Sequence, residues 1–258
     1  MDYKIVFFDV DGTITHHEDG SISNKTKEAI KSLKTNGLRV VAATGRPLSM
    51  CKEIKELGID TFITANGAYV KHDQVTIHKV PMDNKIIQEV LEFSSKTNHA
   101  LSFFTEEFSM NGIKNTETLK ALKETLSLND YPAINHLIYN QEVYLMCLYA
   151  HDKTVKKYIK RFPHLTFQRW HPFVLNVLQK EVNKSLAILQ VLQYFDIDKS
   201  EAIAFGDGEN DIDMLELVGL GIAMGNGNEN LKKVADFVTK KSSEDGIDFA
   251  LKKFEIIT

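Results

Sequence analysis

Cysteine is nearly absent from this 258-residue chain: Cys51 and Cys147 stand far apart, and neither has a CxxC partner. That excludes a disulfide framework and a thiolate zinc site, and both residues are expected to be small buried hydrophobes. Long apolar runs are missing too. None approaches the roughly 18 residues a membrane span requires, so no membrane helix is expected. Nor is one sign of charge in excess. The 31 basic residues face 35 acidic ones, a formal net charge of -4, and the lysines are scattered along helical patterns with no basic block. This argues against a nucleic-acid partner. The opening segment meets an acidic pair directly after the apolar run Ile5 to Phe8. Such a start fits neither a signal peptide nor a transit peptide, and the cytoplasm is the expected location. Internal repeats, low-complexity tracts and a Walker A pattern are lacking as well.

What is present is the composition of an ordinary globular protein, in a length that allows one large domain or a core carrying a second module. The first third alternates short apolar runs with amphipathic helices, the pattern of parallel strands joined by crossovers. KIVFF reads as a strand. A helix capped near Ser23 follows, with Ala29, Ile30 and Leu33 on one face and Gly37 as its stop. LRVVAAT is a second strand and TFITA a third, separated by a helix that begins at Pro47 and carries Met50, Ile54 and Leu57. From about Met82 the pattern changes to an α+β module with helices in NKIIQEVLEFSSK, ETLKALKETL and DKTVKKYIKRF and strands in ALSFFTEEF, EVYLMCLYA and FVLNVLQ. The first pattern resumes near Asn183. The expected fold class is therefore α/β: a doubly wound, mostly parallel core from residues 1–81 and 183–258, interrupted by an inserted domain at 82–182.

In such a sheet, ligands bind outside the carboxyl ends of the strands. DVDGT ends the first strand, ATGRP the second, and GDGENDIDML the strand after the insertion, while Lys184 opens the helix that precedes it. Together these pieces gather Asp9, Asp11, Asp207 and Asp211 around one point, with Thr44 and Lys184 facing them. Adjacent carboxylates at the end of a buried strand cost free energy unless a cation, a proton or a reaction occupies them. Oxygen donors in that number suit Mg²⁺, which leaves positions open for a phosphate oxygen and water. One Asp of the N-terminal pair can then attack phosphorus while the other exchanges a proton with the leaving oxygen and with water. Gly12 lets the backbone turn away, so that free amides nearby can hold phosphoryl oxygens.

On these motifs the sequence resembles the haloacid dehalogenase superfamily of phosphohydrolases, in particular its Cof-type, type IIB branch, in which a large α/β cap lies between the second and third motifs. The resemblance implies a Rossmann-like core with an inserted cap that closes over it. It also implies that Asp9 is the nucleophile and that Asp11 is the general acid and base. The amides of Val10 and Gly45, with Thr44, Lys184 and Asn210, would bind the phosphoryl group. Mg²⁺ would be held by Asp9, the Asp11 carbonyl and Asp207, with Asp211 positioning a metal-bound water. The substrate implied is a small phosphate monoester, a sugar phosphate or a phosphorylated cofactor precursor. Two positions depart from the family pattern: Ser185 stands where Gly is frequent, and Asn176 where an acid is frequent.

Other uses of the same residues stay open: a phosphomutase, which returns the phosphoryl group to a sugar, and a non-catalytic phosphometabolite sensor, against which the presence of Asp11 speaks. An EF-hand loop fails, because neither aspartate-rich segment has both the sixth-position Gly and the twelfth-position Glu. GNGNEN at Gly225 reads as a simple turn, and His16 and His17 as exposed loop residues. Arg46 is either a substrate contact or a structural ion pair. Asn66 and Gly67 read as a turn, with a substrate contact by Asn66 as the lesser reading. In the insertion, Arg169, Trp170 and His171 near an expected loop are the candidates for specificity.

Overall fold

β1 (Ile5–Asp9) is buried along its whole length, as an uninterrupted apolar run requires when both faces of a sheet are covered. The computed structural model describes residues 2–126, 128–135 and 137–258. After β1 come α1 (Asn24–Thr35), β2 (Arg39–Ala43), α2 (Lys52–Lys55), β3 (Thr61–Thr64), β4 (Tyr69–His72) and β5 (Val75–Lys79). A second group holds α3 (Asn84–Thr97), β6 (Ala100–Phe104), β7 (Phe108–Met110), α4 (Thr116–Leu126), β8 (Leu145–Tyr149), α5 (Asp152–Arg161), β9 (Leu165–His171) and β10 (Val174–Gln179). The chain ends with α6 (Lys184–Phe195), β11 (Ala202–Gly206), α7 (Ile212–Leu217), β12 (Leu220–Ala223), α8 (Glu229–Val234), β13 (Phe237–Val238) and α9 (Gly246–Lys253). No helix among the described residues is long and apolar enough to cross a membrane.

Two compact units result. The first contains Met1–Arg46, Cys51–Lys79 and Asn183–Thr258, and the second Pro47–Met50 and Val80–Val182. In the first, an eight-stranded sheet runs β13-β12-β11-β1-β2-β3-β4-β5. It is parallel from β13 to β3 and antiparallel through the β3–β4–β5 edge, the mixed form of a doubly wound α/β fold. Phe7, Val41 and Ile63 from the strands pack with Ile188, Val191 and Leu192 of α6 and Met214 and Leu215 of α7. Each such side chain contributes about 1.5–3 kcal/mol through burial. α1 starts where Ser23 Oγ accepts from the Thr26 amide and turns off at Gly37, whose φ is +84°.

The second unit is a five-stranded antiparallel sheet, β7-β6-β8-β10-β9. Val90, Phe103, Leu148, Tyr158 and Val177 belong to its core. Its sequence ALSFFTEEF is a tight hairpin of β6 and β7 in place of one strand. The single helix expected from Pro47 is broken into a 3-10 turn at Leu48–Met50 and the short α2. The cause is local: the Ser49 amide donates to the Glu106 carbonyl, and Cys51, at φ -110° and ψ 24°, leaves helical geometry.

Candidate active site

Sheet register brings the motif residues together. Phe8 pairs with Phe205 across β1 and β11, their rings stacked at 4.9 Å, so these parallel strands finish side by side and Asp9 and Asp207 emerge on one rim. On the other flank Asp9 pairs with Ala43 of β2, and Thr44 follows on the same rim. The glycines are required by the space. A Cβ at Gly12, where φ is +84°, would stand 2.3 Å from Asp207 Oδ2, and one at Gly206 would stand 2.7 Å from Asp211 Oδ2.

α6 delivers the cation. Asn183 caps the helix by accepting from the Leu186 amide, and Lys184, at its first position, is 1% exposed. Its Nζ donates to Asp9 Oδ1 and to Asp211 Oδ1, each at 2.6 Å. The second oxygen of Asp211 accepts from the amides of Asp207 and Gly208 at 3.1 and 3.0 Å. Asp211 is therefore committed on both oxygens, and it fixes the loop that presents Asp207.

Asp9, Asp207 and Asp211 each place a carboxylate oxygen within 4.8 Å of the others. Burial, with Asp211 and Asp207 nearby, pushes the Asp9 carboxyl well above the usual range despite Lys184. Burial and Asp211 likewise push Asp207 up to about 7. For Lys184 burial acts downward, but Asp211 and Asp9 more than offset it and the ammonium is held above its ordinary value. When all three carboxylates are ionised, the one ammonium leaves two negative charges over, the charge of one divalent cation. Oxygen donors alone suit a hard cation such as Mg²⁺, and the Asp11 carbonyl accepts no hydrogen bond among the described residues. The residues present fit the ion.

Asp11 lies outside this cluster. Its carboxylate is gripped by both faces of the Arg46 fork, Nε to Oδ2 at 3.0 Å and Nη2 to Oδ1 at 2.5 Å, and Arg46 also contacts Glu53. Burial would lower the Arg46 guanidinium, but Asp11 and Glu53 raise it. Thr44 is buried, and its Oγ1 accepts from the Arg46 amide at 3.1 Å. The Val10 carbonyl ties the Asp11 loop by accepting from the amides of Thr13 and Thr15. Gly45 lies beneath the Asn66 carboxamide, and Asn210 Nδ2 donates to Asn66 Oδ1 at 3.1 Å.

Asn226, read from sequence as part of a simple turn, is part of the site's support. Its Nδ2 donates to the Gly12 carbonyl at 2.9 Å and to Asp207 Oδ2 at 3.3 Å, while its Oδ1 accepts from the Ser242 amide. The signal was its place just past the carboxyl end of β12, on the ligand-binding rim. His17 is exposed and contacts Ser242, whereas His16 is half-buried. Ser185 donates to Asn183 and to Asp213, so a hydroxyl is accommodated where Gly is frequent. Arg169, Trp170 and His171 end strand β9, directly before the turn into β10. Arg169 is occupied by the carbonyls of Ala150, His171 and Pro172, and Trp170 donates to Asn176. Both cysteines are buried thiols, and burial pushes each up to about 12.

Similarity to known proteins spans the chain. "Putative phosphatase YkrA" of Bacillus subtilis (strain 168) is 35% identical over 263 residues, covering 100% of both chains. The 5-amino-6-(5-phospho-D-ribitylamino)uracil phosphatase YitU of the same organism is 28% identical over 273 residues and 97% of each chain. Among solved structures, the HAD subclass IIB sugar phosphatase BT4131 superposes with a TM-score of 0.88 at 33% identity, over 98% of this chain and 100% of that one. The haloacid dehalogenase-like hydrolase family matches residues 6–251. With that match over nearly its whole length, the chain belongs to the haloacid dehalogenase-like hydrolases.

Proposed function

We propose that this protein is a Mg²⁺-dependent phosphatase that hydrolyses a small phosphate monoester through a covalent phosphoryl group on Asp9. One observation carries the reading: a buried ammonium, Lys184, joins Asp9 to Asp211 at a strand end where Asp207 adds a third carboxyl group. A purely structural ion pair has no use for the third carboxylate, because each further buried charge costs several kcal/mol on the order of the desolvation penalty.

Asp9, Asp207 and the Asp11 carbonyl would hold the ion, with Asp211 behind them. Bound there, it supplies the positive charge that lets a dianionic phosphoryl group approach a carboxylate. Lys184 holds Asp9 Oδ1 and orients the carboxylate for attack. As the bond from Asp9 oxygen to phosphorus forms, the ester P–O bond breaks, and Asp11 gives its proton to the leaving oxygen. Asp11 then takes a proton from water, whose oxygen displaces Asp9 from phosphorus and releases inorganic phosphate. Lys184 and the amides of Val10 and Gly45 stabilise the charge on the phosphoryl oxygens. Both Asp11 oxygens accept from Arg46, so Asp11 must leave that pair and take up a proton before it can act as the acid. Two of the relatives, a sugar phosphatase and a phosphoribitylaminouracil phosphatase, favour a phosphorylated polyol or sugar as the substrate class.

Phosphate release from p-nitrophenyl phosphate with Mg²⁺ tests the reading, alongside Asp9→Ala and Asp11→Asn. Turnover that requires Mg²⁺ and falls by at least about 10³-fold in Asp9→Ala supports it. Turnover unchanged by Asp9→Ala, or absent from the wild type with a panel of sugar phosphates, sinks it.

A further inference from the structure

The Asn66 carboxamide is 3% exposed, and its Nδ2 has no hydrogen-bond partner among the described residues. Leaving a buried N–H unsatisfied forfeits its hydration with no hydrogen bond in return. The backbone that carries it is strained as well: Ala65, Asn66 and Gly67 have φ of 51°, 55° and 106°, three successive left-handed residues of which only the last is a glycine. A non-glycine residue there brings its Cβ close to the following carbonyl oxygen. Both costs are paid on a loop that the surroundings fix firmly. The Asn66 amide donates to the Thr44 carbonyl at 3.1 Å, and the Ala65 amide to the Arg46 carbonyl at 3.2 Å. Gly67 is pressed so closely on the start of α6 that a Cβ would lie 2.2 Å from the Asn183 carbonyl.

The location of the orphan is specific. Asn66 Oδ1 accepts from Asn210, and the carboxamide lies flat over Gly45, with its oxygen and nitrogen 3.3 and 3.5 Å from where a Gly45 Cβ would be. The side chain is thereby held between ATGR and GDGEND, and Gly67 of its loop abuts the residue preceding Lys184, in the three segments proposed to surround the phosphoryl group. Strain and unsatisfied polar groups held in place by their surroundings concentrate where a ligand completes them.

We propose that Asn66 Nδ2 is a preorganised donor to a phosphoryl oxygen of the substrate, and that the left-handed loop 65–67 exists to present it. This rests on the phosphatase reading above. The loop fixes the carboxamide before substrate arrives, so the N–H is available without reorganisation.

Isothermal titration of the full chain with inorganic phosphate, in the presence of Mg²⁺, tests the proposal independently of turnover. Asn66→Gly keeps the left-handed backbone and deletes the donor. Its phosphate affinity is expected to fall about tenfold, with kcat/KM for p-nitrophenyl phosphate down by at least as much and Tm unchanged or raised. Asn66→Asp keeps the shape but substitutes an acceptor, and serves also if the glycine variant fails to fold. It is expected to bind phosphate more weakly still. Affinity within twofold of wild type in either variant overturns the proposal. A wild type that binds phosphate but never releases it from any ester sinks the phosphatase reading instead, and leaves the Asn66 comparison intact.

Discussion

At the scale of single residues, the charge cluster makes two substitutions act in opposite directions. Lys184 pairs with Asp9 and Asp211, and all three side chains are buried. Lys184→Met leaves both acids unpaired, and metal-free protein should lose about 3–5 kcal/mol in urea denaturation, the usual cost of breaking one side of a buried pair. Asp9→Asn should do the reverse. Because burial and the neighbouring acids hold the Asp9 carboxyl well above its ordinary range, its ionised form is disfavoured by folding, and a neutral isostere relieves that cost. In EDTA at pH 8, Asp9→Asn is expected to raise Tm by several degrees while abolishing turnover, a stability–activity trade-off. A lower Tm for Asp9→Asn would mean that the Lys184 contact outweighs the repulsion. Such opposition is invisible in a list of motif residues and follows only from the 2.6 Å contacts.

At the scale of elements, the helix caps separate support of the fold from support of the site. Ser23 caps α1 through its bonds with Thr26, and Asn183 caps α6 with Lys184 as the next residue. Ser23→Ala is expected to cost about 1 kcal/mol with kcat unchanged, whereas Asn183→Ala should cost about as much and also lower kcat. Equal kcat in the two variants would show that the cap does not position Lys184. The first cap was legible because Ser23 precedes an apolar 3.6-residue period, and the parallel strands were legible because both of their faces are buried. The rim residues Asp9, Thr44 and Asp207 were legible for the same reason, since a strand end names its own next residue. What stayed hidden depended on contacts between segments far apart in sequence. Asn226 reaches Gly12 across 214 positions, Arg46 reaches Asp11 across 35, and no local period encodes either. The edge hairpin of β4 and β5 was missed because its exposed residues, Val75 and Thr76 among them, give little apolar signal.

At the scale of the whole molecule, the site is a product of tertiary closure. Asp9 comes from the first strand and Asp207 from the far side of the second unit's sequence, and they meet only because β1 pairs directly with β11. A cation that bridges them therefore binds the folded chain and not the unfolded one, so it should stabilise the fold by about 2.7 kcal/mol at 100 times its dissociation constant. Protons compete for the same oxygens. Asp207 is raised to about 7 in the fold, above the ordinary carboxylate value near 4 in the unfolded chain. Between those two values the metal-free folded state binds more protons than the unfolded one, so its stability falls as pH rises toward 7 and is level above it. A bound cation would displace those protons and remove the repulsion. The Mg²⁺-induced rise in Tm is accordingly expected to be small at pH 5.5, to grow through pH 7 and to level off by pH 8.5. Asp207→Asn should flatten that dependence, since it removes both the proton and a ligand. Thermal shifts with MgCl₂ against an equal ionic strength of NaCl provide the measurement, and a shift as large at pH 5.5 as at pH 8.5 would rule out proton competition at the carboxylates.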